Sequence, residues 1–117
     1  MKKKITIFGS TGSIGDSTLD LVKSHPEKYE IVGLTINNNY KKLIKQVNSF
    51  KPKIVSINDT ESYKKFKEIN QNQNLKVVNG KDCYDEILNY KTDMVVAAIT
   101  GSTGLMPVVK AVKKGIP

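Results

Sequence analysis

Ile5-Thr6-Ile7-Phe8-Gly9-Ser10-Thr11-Gly12-Ser13-Ile14-Gly15 is an apolar run that breaks into a glycine turn, and a helical pattern of Ile14, Thr18, Leu21 and Val22 follows it directly. Strand, glycine turn, helix is the context in which a glycine loop signals phosphate binding. Gly9 lets the chain reverse at the strand's end, where a side chain would clash or φ must be positive. Gly12 lets backbone N–H groups approach a pyrophosphate closely, and Gly15 lets the new helix pack against the strand it left. The helix N-terminus then offers free N–H donors and the positive end of its dipole. The spacing is G-x-x-G-x-x-G, one residue longer than the commonest dinucleotide fingerprint. The plainer alternative is a turn that merely needs small residues. Hydroxyls on Ser10, Thr11 and Ser13, beside phosphate-facing amides, favour the ligand.

Working outward, the pattern alternates throughout. Residues 3–8 predict a first strand and 13–24 a first helix, which His25-Pro26 ends because proline disfavours helical geometry in the residue before it. Residues 29–36 predict a second strand with Ile31, Val32, Leu34 and Ile36 nearly continuous, as in a strand buried on both faces. A helix follows with Leu43, Ile44, Val47 and Phe50 on one face, and Lys51-Pro52 stops it. Residues 53–57 predict a third strand, with Asp59 or Thr60 capping a helix that turns Tyr63, Phe66 and Ile69 inward. After a polar loop at 70–74 come a short strand at 75–78, a helix at 82–90 and the most apolar strand, at 92–99. A second small-residue loop, Thr100-Gly101-Ser102-Thr103-Gly104, leaves that strand, and residues 105–114 predict a last helix, with Pro107 in its first turn and Gly115 at its C-cap. This alternation implies an α/β fold: a Rossmann-like, doubly wound, mainly parallel sheet with helices on both faces. Ligands of such sheets sit beyond the carboxyl ends of the strands. Both glycine loops and Asn37-Asn38-Asn39 leave carboxyl ends.

Composition fits one globular domain: 117 residues, 26% charged and 38% hydrophobic. Met1-Lys2-Lys3-Lys4 resembles the start of a secretion signal, but Gly9 and Ser10 end the apolar run at once. No run approaches a membrane span, and the single cysteine, Cys83, suits a reducing cytoplasm and a packing role. The only histidine, His25, reads as a surface helix cap. The net charge of +8 comes from nineteen lysines without an arginine. The lysines are scattered without interleaved aromatics, so nucleic acid is not the expected partner. An anionic cofactor would welcome the same field.

NAD-binding domains usually end their second strand with an acid that holds the ribose 2′-hydroxyl. Here Asn37-Asn38-Asn39 stands there, followed by Tyr40-Lys41-Lys42. A carboxylate would repel the 2′-phosphate of NADP, whereas amides and lysines accept it, so the pattern points to NADP(H). Asparagines also suit turns and helix caps, and that alternative stands beside it.

Residues 5–15 followed by Ser17-Thr18-Leu19-Asp20 resemble the opening of 1-deoxy-D-xylulose 5-phosphate reductoisomerases. Ala97-Ala98-Ile99, Gly104-Leu105-Met106-Pro107 and Ala111 resemble the segment closing that family's nucleotide-binding half. The resemblance implies an NADPH-dependent enzyme of the non-mevalonate isoprenoid pathway. It would rearrange and reduce 1-deoxy-D-xylulose 5-phosphate, a small phosphorylated sugar, to 2-C-methyl-D-erythritol 4-phosphate with Mg²⁺ or Mn²⁺. Residues 1–117 would be its N-terminal NADP(H)-binding domain, and the full-length enzyme a cytoplasmic homodimer. Carried over by position, the cofactor-binding residues are Gly9, Thr11, Gly12, Ser13 and Ile14 at the phosphates and Asn37, Asn38 and Asn39 at the adenosine ribose. The family often has a glycine and a basic residue where Asn37 and Asn38 stand, while Asn39 matches.

Family chains are over three times longer, so the metal-binding acids and the catalytic and C-terminal domains are expected beyond Pro117. No catalytic or metal-binding residue is assigned here, and Asp16, Asp20 and Asp93 read as exposed or capping. Rival readings are the N-terminal domain of another NADP-dependent oxidoreductase, of semialdehyde or sugar dehydrogenase type, and a nucleotide-sensing module without chemistry.

Overall fold

Strand and helix alternate through β1 (Lys3–Phe8), α1 (Ser13–Ser24), β2 (Tyr29–Ile36), α2 (Tyr40–Phe50), β3 (Ile54–Ile57), α3 (Thr60–Ile69), β4 (Lys76–Val78), α4 (Cys83–Leu88) and β5 (Met94–Ala97). This is a computed structural model, and it describes residues 2–71, 74–79 and 83–98. The expected loop at 100–104 and helix at 105–114 lie outside the described residues, as does Ile99.

The five strands form one parallel sheet in the order β4-β3-β2-β1-β5. From β1 the chain steps outward to β4, then returns past β1 to place β5 on its other side. Parallel crossovers are right-handed, so a reversal of direction moves the connecting helix to the opposite face. The packing agrees. Leu19 and Val22 of α1, Leu43 and Val47 of α2 and Phe66 of α3 share one core with Ile5, Ile7, Leu34, Val55 and Ile57. Ile87 and Leu88 of α4 pack in a second core with Phe8, Ile54 and Val78. The expected doubly wound sheet with helices on both faces is the observed fold.

One irregularity lies between the cores. Ile5 pairs with Ile31 but Thr6 pairs with Gly33, so β2 carries an extra residue at Val32. The bulge rephases the strand, letting Ile31 and Leu34 enter the same core although they stand three positions apart. Gly33 then leaves room for α4: a Cβ there would stand 2.7 Å from Ile87 Cγ1.

The first two strands and first helix have their expected bounds. Later elements are shorter: β3 starts at Ile54, β4 at Lys76, and α4 ends at Leu88, where Asn89 and Tyr90 donate to the carbonyls of Glu86 and Ile87. The final strand, expected over 92–99, is confined to Met94–Ala97 and is only partly buried. It has β1 on one side and, among the described residues, no neighbour on the other. Ile69, expected inward, is half exposed, whereas Phe66 is fully buried. Lys51 ends α2 in the left-handed region, with φ of 49°. Among the described residues no helix is long and apolar enough to cross a membrane.

Candidate functional site

The glycine loop between β1 and α1 lies beside the β2–α2 turn, because β1 and β2 are adjacent and parallel. Gly9 has φ of 86°, the left-handed turn that glycine adopts without strain. Its N–H donates to Thr35 O at 2.9 Å and to Thr35 Oγ1 at 3.1 Å, and the Ser10 N–H donates to Thr35 O at 3.0 Å. These two amides therefore hold the turn to β2.

Gly15 has a different reason to be glycine. A Cβ there would lie 2.5 Å from Ser10 O and 2.6 Å from Gly9 O, inside backbone that cannot step aside. The helix consequently begins against the strand end. Its inward face runs Gly15, Leu19 and Val22, while Ile14 and Leu21 are half exposed, which corrects the expected Ile14–Thr18–Leu21–Val22 face. A glycine standing where an apolar residue would open the buried stripe hid the true phase from the hydrophobic count. Ser13, Ile14, Ser17, Thr18 and Leu21 instead line a shallow outward groove.

Gly12 answers to neither constraint. Its φ is −81°, and among the described residues a Cβ there would meet only Gly9 O at 3.7 Å and Ala98 O at 3.9 Å, ordinary contacts. It is exposed and occupies the N-cap of α1, where no side chain closes on the helix amides. The first helical bond runs from the Asp16 N–H to Gly12 O, so the amides of Ser13, Ile14 and Gly15 precede any helical acceptor. Thr11 and Ser13 have hydroxyls without a hydrogen-bond partner among the described residues. Ser10 differs from expectation: it is fully buried, and its hydroxyl donates to Gln46 Oε1 at 2.8 Å. Gln46 Nε2 donates back to Ser10 O, also at 2.8 Å. The Ser10 hydroxyl is thus committed to α2 and not available to a phosphate.

The β2–α2 turn divides its asparagines among separate tasks. Asn39 caps α2, accepting from the Lys42 N–H at 3.3 Å. Asn37 O accepts from the Asp59 N–H at 2.9 Å, and Asn37 Oδ1 accepts from Asn58 Nδ2 at 3.1 Å. Asn79 Nδ2 in turn donates to Ile57 O at 2.7 Å and to Asn58 O at 3.1 Å. Asparagines after three successive strands therefore tie the carboxyl edge together laterally. Asn38 is exposed, and its side-chain amide has no partner among the described residues.

Asp59 caps α3 as expected, accepting from Ser62 N at 3.0 Å and Ser62 Oγ at 2.7 Å. Those side-chain and backbone hydrogen bonds from Ser62 hold its carboxyl below the ordinary value. Lys42 reaches from α2 to pair with Asp16 in the first turn of α1 and to donate to Thr11 O at 3.0 Å. This contact, like the Ser10–Gln46 pair, joins partners too distant in sequence for local spacing to reveal. Asp93 anchors β5, accepting from Lys4 N at 2.8 Å while its own N–H donates to Lys4 O at 2.7 Å. Among the described residues no group of three or more His, Cys, Asp or Glu is placed to hold a metal ion. His25 caps α1 and stands edge-on to Tyr29.

The assembled edge is an uncapped helix N-terminus, an open position at Gly12 and an unpaired amide at Asn38, with β5 leaving beside Gly12: the Ala98 N–H donates to Phe8 O at 2.8 Å. Such an edge can take an extended anion.

Comparison with known proteins identifies the family to which this fold belongs. A profile of the 1-deoxy-D-xylulose 5-phosphate reductoisomerase family matches residues 5–116. The reductoisomerase of Caldanaerobacter subterraneus subsp. tengcongensis is 49% identical over 113 residues, which cover 97% of this chain and 29% of that protein. The Clostridium perfringens reductoisomerase is 40% identical over 116 residues, covering 97% of this chain and 30% of that protein. The chain thus spans about 30% of the length of the curated relatives it matches. Among solved structures, the Zymomonas mobilis reductoisomerase in complex with NADPH superposes with a TM-score of 0.90 at 33% identity, over 99% of this chain and 31% of that one. A DOX-P reductoisomerase in complex with NADPH, fosmidomycin and magnesium superposes with a TM-score of 0.90 at 31% identity, over 97% of this chain and 28% of that one.

Proposed function

The chain belongs to the 1-deoxy-D-xylulose 5-phosphate reductoisomerase family, and on that premise we propose that it is the NADPH-binding portion of an enzyme that rearranges and reduces 1-deoxy-D-xylulose 5-phosphate to 2-C-methyl-D-erythritol 4-phosphate. The observation that carries this reading is the division of labour among the three glycines. Gly9 serves its own φ and Gly15 its own packing, but the described residues leave room for a side chain at Gly12. A ligand lying across the loop supplies the missing reason for glycine there. The NADPH in the Zymomonas mobilis structure has the chemistry of such a ligand.

The residues present fit that group. The amides of Ser13 and Ile14 would receive the pyrophosphate at the positive end of α1, with the Thr11 and Ser13 hydroxyls beside them. Gly9 would hold the turn in place, and Gly12 would let the phosphate oxygens approach the backbone. Asn37, Asn38 and Asn39 would frame the adenosine ribose, each with a side-chain N–H₂ group that has no partner among the described residues. The cofactor would supply a hydride. This chain's part is to bind and orient it. We assign the sugar phosphate, the metal ion, the catalytic groups and any dimer contact to the length of the relatives that this chain does not span. The single cysteine among 117 residues suits action in the cytoplasm.

Calorimetric titration of the 117-residue chain with NADPH tests the reading. Saturable, weak binding is expected, with no methylerythritol phosphate formed when substrate and Mg²⁺ are added. Failure to bind NADPH at all would overturn the assignment.

A further inference from the structure

Lys42 stands two residues into α2, close in sequence to the asparagine turn, where a cation would be expected to meet the 2′-phosphate. The structure sends it elsewhere. Its ammonium pairs with Asp16 and donates to Thr11 O at 3.0 Å. Asp16 occupies the first turn of α1. A carboxylate at that place satisfies the positive end of the helix dipole, which is the charge a bound pyrophosphate would use, and it repels the pyrophosphate as well. An ion pair this exposed, with 35% of the Lys42 and 44% of the Asp16 side chain accessible, contributes little to folding. Its position gives it another effect.

We propose that Lys42 is a positioning residue for the dinucleotide's pyrophosphate: it neutralises Asp16 and draws the Thr11 carbonyl toward α2, leaving the N-terminus of α1 to the ligand. This rests on the NADPH-binding reading above. It differs from a contact with the 2′-phosphate in a measurable way. NADH and NADPH share the pyrophosphate and differ only at the 2′ position, so an effect through Asp16 falls on both alike. An effect through the 2′-phosphate falls on NADPH alone.

The test measures dissociation constants of NADPH and NADH, at matched ionic strength, for the 117-residue chain and the variants Lys42→Met, Asp16→Asn and the double variant. Circular dichroism reports folding. Lys42→Met should weaken both dinucleotides by about fivefold, the size of one charge at a helix terminus. Adding Asp16→Asn should restore most of that loss, a rescue that a merely structural role for Lys42 would not give. Asp16→Asn alone should bind both at least as tightly as the starting protein, which keeps the test decisive if Lys42→Met does not fold. Loss of NADPH affinity alone in Lys42→Met, no rescue in the double variant, or weaker binding in Asp16→Asn would each overturn the proposal. A starting protein that binds neither dinucleotide would overturn the reading beneath it, a result distinct from any of these.

Discussion

Ser10 and Gln46 bond to each other twice: the Ser10 hydroxyl donates to Gln46 Oε1 and Gln46 Nε2 donates to Ser10 O, each at 2.8 Å and both away from water. The pair clamps the middle of the glycine loop to α2, so the loop's shape is held by a helix more than thirty residues away in sequence. Replacing Gln46 with Leu would leave a buried hydroxyl and a buried carbonyl without partners. A buried group stripped of its partner costs about 1–3 kcal/mol. Gln46→Leu should lose stability in that range in urea titrations. The loosened loop should also bind NADPH and NADH more weakly by similar factors.

Gly15 and Gly12 offer a sharper contrast. A Cβ at Gly15 would sit 2.5 Å from a backbone oxygen, and relieving it requires separating α1 from β1. Overpacking of this kind costs about 1–3 kcal/mol and can cost more. Gly12→Ala meets nothing closer than 3.7 Å among the described residues and should stay within about 0.5 kcal/mol of the starting protein. Gly12→Val should also fold, yet its branched side chain would occupy the pyrophosphate's place. Urea unfolding and NADPH titration of Gly15→Ala, Gly12→Ala and Gly12→Val separate the roles. Unchanged NADPH affinity in a folded Gly12→Val protein would make the loop a plain turn.

The strands and helices were legible because each carries its own period, and β1, α1 and β2 have the bounds that period gives. Legibility weakened where enclosure decides the outcome: Ile69 follows the same helical period as Phe66 but is half exposed at the end of α3, while Phe66 is fully buried. The glycine roles at 9 and 15 were readable from the strand–turn–helix order. The Ser10–Gln46 and Lys42–Asp16 contacts were not, because they join residues 36 and 26 apart whose proximity follows from the β1–β2 pairing. Gly33 was invisible for a similar reason, since the demand for glycine there comes from Ile87, across the sheet's other face.

Asp59 gives the fold a pH-dependent element. Hydrogen bonds from Ser62 lower its folded pKa below the ordinary value of 3.8. A depressed carboxylate stabilises the folded state above the unfolded pKa, and that contribution fades as pH falls through the folded one. Asp59→Ala should therefore be less stable than the starting protein near neutrality, and the gap should narrow as the pH drops below about 4. Paired thermal melts from pH 7 to pH 2.5 check this. A gap that stays constant across the range would show that the carboxylate's charge has no part in capping α3.

Cofactor preference follows from what the asparagine turn has left to offer. Asn39 spends its side-chain oxygen on α2, Asn37 is tied to Asn58 and Lys42 is held by Asp16 and Thr11. Asn38 keeps its whole exposed side-chain amide unpaired among the described residues, whereas Asn37 and Asn39 keep only their N–H₂ groups, and Lys41 is exposed nearby. Screening over roughly 8–10 Å at ordinary salt leaves only short-range contacts to discriminate. One hydrogen bond to a charged group contributes about 1.5–3 kcal/mol when well formed. With flexible, exposed donors the low end applies, which at ~1.4 kcal/mol per decade is a preference of about tenfold for NADPH over NADH. Asn38→Asp places a carboxylate against the 2′-phosphate and beside the ribose hydroxyl, so it should abolish or reverse that preference while leaving NADH binding intact or improved. Dissociation constants for both cofactors at one ionic strength decide the matter. Equal affinities in the starting protein would mean that the turn only caps α2 and that the assignment of NADPH over NADH is wrong.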